Sequence, residues 1–181
     1  MTDVLVEMLP FGQVLDEAAA HDPTWPMQEK AKSVTTEQLA CMRRELSSEG
    51  YRRSKHASVE AYAQANPSRF ADDLKLLSGG AAALFGRLVK AGVSQGGGGS
   101  KADPNAILKS STSDELLSFM TFFSDPDYAG LRDLSGVGNA MSINKSSKEN
   151  EAAGEGIGSS LVVKLMIKSM ASCDVPPSAI F

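Results

Sequence analysis

Thr35-Thr36-Glu37-Gln38-Leu39-Ala40-Cys41-Met42-Arg43-Arg44-Glu45-Leu46 is the stretch whose reading decides the fold. The Thr35 hydroxyl can accept from a backbone N–H at the head of a helix. Gln38, three residues on, can reach back to close a capping box. Leu39, Met42 and Leu46 then recur at three- and four-residue steps, the period of one helix face, with Arg43 and Glu45 outside it. The spacing predicts a helix running to about Tyr51, with Gly50 as its C-cap or a bend.

The same period recurs in both directions. Toward the N-terminus, Asp3 can cap a short helix bearing Val4, Leu5, Met8 and Leu9, and Pro10 must break or kink it. Phe11, Val14, Leu15 and Ala18 mark a second helix, ended by His21-Asp22-Pro23. Two prolines then flank the only tryptophan, Trp25, which is expected to fold back on the core as an anchor. Downstream, Ser58 and Ser68 are read as caps of two further helices. Ser78-Gly79-Gly80 is read as a break before a helix from Ala82. Beyond residue 100, Asp103-Pro104 starts one helix, and Ser113 caps another with Leu116, Leu117, Met120, Phe122 and Phe123. Asp125-Pro126 starts a further turn, residues 135–144 read as loop, and a final helix covers Lys148 to Ser172. No stretch alternates as a strand does. The fold class expected is all-α: a compact bundle of about seven to nine short helices.

Residues 96–100 interrupt this pattern with Gly-Gly-Gly-Gly-Ser. Four consecutive glycines maximise backbone freedom and offer no side chain to pack, which is the composition of a flexible linker made by hand. The run is read as engineered, joining a first helical segment (1–95) to a second (101–181), either as a fusion of two partners or as a shortened loop in one chain. The apolar richness of 114–123 and 161–167 implies that the second segment shares a core with the first. Five flexible residues span roughly 12 Å on average, so the joined ends must lie close together.

Composition limits the function classes. The chain has 181 residues, 42% hydrophobic and 22% charged, with net charge −4, which speaks against a dedicated nucleic-acid coat. The apolar run Leu161-Val162-Val163 is stopped by Lys164, far short of the length needed to cross a membrane. Met1-Thr2-Asp3 has no basic stretch ahead of its apolar residues, so no secretory signal is expected. Cys41 and Cys173 are the only cysteines. Both are expected as buried free thiols, which fits an intracellular, reducing compartment.

Few residues could carry chemistry. Asp125 to Gly136 begins like a calcium loop, but Gly136 stands where the bidentate Glu belongs. Gly154-Glu155-Gly156-Ile157-Gly158 has neither a preceding strand nor a Lys-Ser/Thr pair, so it is expected to be a small-residue face approached closely by another helix, or a helix start near Gly158. The two histidines, His21 and His56, have no metal-ligand spacing. No cofactor or metal is implied, and the chain is expected to be non-enzymatic. A remote alternative pairs Cys41 with a histidine. Arg44, Arg52, Arg53 and Lys55 form the one credible basic patch for nucleic acid or an acidic partner. Phe119 and Phe122, partly off the face of Leu116, Met120 and Phe123, are the expected apolar contacts for a protein partner or a second copy. The leading expectation is a helical interaction or assembly module, with a nucleic-acid-binding module as the alternative.

Overall fold

The computed structural model describes residues 1–96, 103–138, 141 and 145–179. Those residues form ten α-helices with short 3-10 turns and no strand. The helices are α1 (Thr2–Met8), α2 (Phe11–His21), α3 (Thr36–Glu45), α4 (Ser48–Ala65), α5 (Phe70–Leu76), α6 (Ala82–Gly96), α7 (Pro104–Ser110), α8 (Ser113–Ser124), α9 (Ala129–Ser135) and α10 (Ser147–Ser172). The four residues Gly97 to Ser100 of the glycine run, and residues 139, 140 and 142–144 of the stretch read from sequence as loop, lie outside the described residues.

Local chemistry accounts for the helix starts. Thr35 closes the expected capping box with Gln38, accepting from its N–H at 3.1 Å while Gln38 Oε1 accepts from Thr35 N–H at 3.0 Å. The same device opens α8 through Thr112 and Glu115, one residue earlier than expected, and opens α10 through Ser146 and Glu149. Asp103 caps α7, whose first residue is Pro104. Asp3 is no cap: α1 begins at Thr2 after Met1, and Asp3 instead pairs with Arg52.

The expected helix through Tyr51 is in fact two. α3 stops at Glu45, and Ser47 caps α4 by accepting from Gly50 N–H. Gly50 sits in the first turn of α4, where a Cβ would collide with the Glu45 carbonyl oxygen. It therefore permits the tight corner and does not end the helix. Ser58 is interior to α4, its hydroxyl bonded back to Ser54 O, so α4 is one helix where two were expected. Arg69, and not Ser68, precedes α5. At 77–81 the expected break is present as a kink at Gly80, whose backbone is not helical. Gly80 has φ 127°, and α6 follows directly.

Two apolar clusters organise the bundle. The larger draws Leu5, Met8 and Leu9 from the α1 region, Leu77, Ala81 and Phe85 around α6, Phe122 and Phe123 from α8, Leu131 from α9, and Ile157 and Leu161 from α10. It thus takes residues from both sides of the glycine run. Phe85, Phe119 and Phe123 cluster with centroids 4.8–6.5 Å apart, and Phe122 meets Phe123 edge to face at 4.9 Å. Buried aromatic rings of this kind each contribute roughly 1.5–3 kcal/mol.

The smaller cluster contains Leu15, Met27, Met42, Leu46, Met170, Cys173, Val175 and Ala179, with Trp25 packed against it as the expected anchor. Arg43 ties the Trp25 loop down by donating to the carbonyls of Ala19, Asp22, Pro23 and Trp25. Within this cluster Cys41 and Cys173 are joined in a disulfide, with Cα atoms 5.7 Å apart. The expectation of free thiols is overturned. A disulfide does not indicate a reducing compartment, so that expectation loses its ground.

Candidate functional site

Residues of α4 and α10 face one another across a shallow groove of about 190 Å³. Glu45, Arg53 and Ser54 form one wall, and Leu165, Lys168 and Ser169 the other. Lys168 Nζ crosses the groove to donate to Ser54 Oγ at 2.9 Å. Arg53 is engaged by two carboxylates, Glu45 at 3.2 Å and Glu49 at 3.4 Å. The groove combines two cations, one carboxylate and serine hydroxyls, a polar lining for surface recognition.

The four residues of the expected basic patch are not brought together as one open surface. Arg52 forms a two-pronged contact with Asp3 Oδ1 at 2.7 and 2.9 Å on the opposite flank of α4. Arg44 lies 3.6 Å from Glu45. Lys55 is 8% exposed, and its ammonium donates to the carbonyls of Leu134 and Ser135 at the C-terminal end of α9. That end of a helix carries partial negative charge and unpaired carbonyls, so a cation suits it. Burial, with Lys164 nearby, pulls the Lys55 pKa down to about 8. Sequence spacing places 52, 53 and 55 together, but successive helical residues point in different directions, and tertiary packing takes Lys55 inside.

The calcium reading of Asp125 to Gly136 finds no geometry. Asp125 caps the 3-10 turn through Asp127 N–H, and Arg132 is buried, donating to the carbonyls of Phe122 and Asp125. Among the described residues no cluster of acids, histidines or cysteines could hold a metal. A Cβ on Gly154 or Gly156 would meet nothing within 4 Å, and one on Gly158 would meet only Phe11 at 3.9 Å. All three glycines lie inside α10. They are therefore neither a tight helix crossing nor a helix start.

Cys41 and Cys173 are spent on one another, so neither offers a free thiol to a histidine. His21 bonds to the Glu17 carbonyl, and His56 faces Thr2 and Glu60. The buried carboxylate that the sequence did not single out is Asp73. It accepts from Tyr62 Oη at 2.6 Å, with Arg69 at 3.6 Å. Burial, and then this carboxylate, push the Tyr62 phenol up to about 12. Asp72, its neighbour, is exposed, as adjacent helical positions require.

The apolar contacts also move. Phe122 is fully buried, and Phe119 packs half-buried against the larger cluster, so Phe122 cannot meet a partner. The exposed large apolar side chains of α8 are Leu117 at 67% and Met120 at 51%. On α10, Val162, Val163 and Ile167 are also exposed. The signal for α8 was present: its residues are apolar nearly all round, so some had to face outward. Which ones did so depended on where α6 and the 77–81 turn pack. Among the described residues no helix is long and apolar enough to cross a membrane. Comparison of this chain with protein-family models, with curated proteins and with solved structures finds no match.

Proposed function

We propose that the chain is a non-enzymatic helical interaction module that binds a protein partner or a second copy of itself through apolar side chains of α8 and α10. The observation that supports this most directly is the exposure of Leu117, Met120, Val163 and Ile167 on helices whose other faces already fill the core. Large apolar side chains grouped on helix surfaces are a common docking feature. The contact residues first expected on α8 shift accordingly from Phe119 and Phe122 to Leu117 and Met120. Within this reading the glycine run is a made junction that keeps two segments of one core together.

Size-exclusion chromatography with light scattering, alone and over a concentration series, tests the reading. The expected outcome is reversible self-association, or association with one defined partner, that Leu117→Glu with Ile167→Glu abolishes while the helical content stays unchanged. A strict monomer that binds no protein sinks it. A nucleic-acid module would instead have to use Arg53 and Lys168 at the α4–α10 groove, where Arg53 is already paired with carboxylates. Labelled-oligonucleotide binding at low salt separates the two readings.

A further inference from the structure

The disulfide joins α3 to the C-cap of α10, across a sequence separation of 132 residues, and its two sulfurs have unlike surroundings. Cys173 is buried in the smaller cluster, where its N–H donates to the carbonyls of Ser169 and Met170 at the end of α10. Cys41 is only half-buried at the edge of that cluster. Arg44, one turn further along α3, directs Nη2 at the Cys41 sulfur from 3.5 Å. The Arg44 side chain is 66% exposed, and Glu45 at 3.6 Å balances part of its charge. Glu37, one turn before Cys41, and Asp174, next to Cys173, are the other acids flanking the pair in sequence.

We propose that this bond is a thiol-exchange site that opens at Cys41, with Arg44 drawing anionic low-molecular-weight thiols of the glutathione class to it. Exchange requires a thiolate to reach one sulfur, and access favours Cys41. The incoming thiolate forms a bond to Cys41 Sγ. The protein S–S bond breaks, and its electron pair leaves on Cys173 Sγ, which takes a proton from solvent. Arg44 beside Cys41 and the carbonyl end of α10 beside Cys173 would make Cys41 the better leaving group, so it is the burial of Cys173 that directs attack to Cys41. A second thiol then attacks the sulfur of the bound reagent and releases Cys41 as a thiolate beside the Arg44 guanidinium. One protein disulfide and two thiols thus become two protein thiols and one small-molecule disulfide. Opening removes the only covalent tie between α3 and the segment Met170 to Ala179, which carries one wall of the smaller cluster.

The full oxidised chain is treated separately with glutathione, an anion, and cysteamine, a cation, and adducts are followed by intact mass and fragment mapping. The first adduct is expected on Cys41. The glutathione-to-cysteamine rate ratio should fall roughly threefold to tenfold in Arg44→Gln, the effect of one nearby surface charge. It should largely survive Arg44→Lys and rise in Glu45→Gln. Adduct on Cys173, a ratio unmoved by Arg44→Gln, or two free thiols in air-oxidised protein would each overturn the proposal.

Discussion

Lys55 carries its charge where almost no water reaches. Its ammonium has carbonyls of α9 as acceptors and the Tyr51 ring 5.8 Å away, and among the described residues no carboxylate forms an ion pair with it. Burial lowers its pKa from 10.5 to about 8. Below pH 8 it is protonated in both the folded and unfolded chain, so the cost of burying the charge is fully present. As pH rises above 8 the folded chain sheds the proton while the unfolded chain keeps it, and stability therefore increases. Chemical denaturation between pH 8 and 10 should show a gain on the order of 2 kcal/mol. Lys55→Met should flatten that rise. A stability that is level or falling across this window in the parent chain contradicts the assignment. Above pH 10 the buried Tyr51 and the half-buried Tyr62 act in the opposite sense, since the folded chain retains their protons longer.

The turn at 77–81 shows how one residue sets the course of two helices. Gly80 adopts φ 127°, and a Cβ there would fall 2.7 Å from Glu115 Cγ and 2.8 Å from Glu115 Cα. Glu115 cannot yield easily. It closes the α8 capping box and pairs with Arg87 of α6 at 2.8 Å, and that hydrogen bond holds its pKa down to about 2. Gly80→Ala therefore combines backbone strain with a steric conflict against α8, and is expected to cost about 2–3 kcal/mol. Thermal denaturation followed by circular dichroism checks it; a change below about 0.5 kcal/mol would mean that α8 can move away freely. The sequence marks this position as a break because two glycines are adjacent. It cannot show that Glu115 of α8 closes over the kink at Gly80, because that depends on how closely α8 approaches.

The disulfide and the glycine run bear on the whole molecule in opposite ways. The disulfide closes a long loop, so Cys41→Ala with Cys173→Ala should cost about 2–5 kcal/mol, measured by urea unfolding against the oxidised parent. A loss below about 1 kcal/mol would show that packing alone seats the end of α10. Most helix positions, the caps at Thr35, Asp103 and Asp125, and the all-α class were legible in the sequence, because capping and a 3.6-residue period are local properties of backbone and side-chain geometry. The α3–α4 corner, the pairing of Cys41 with Cys173, the burial of Lys55 and Phe122, and the exposure of Leu117 and Met120 were not. Each depends on which segment arrives from far along the chain to exclude water, and only the packed bundle decides that.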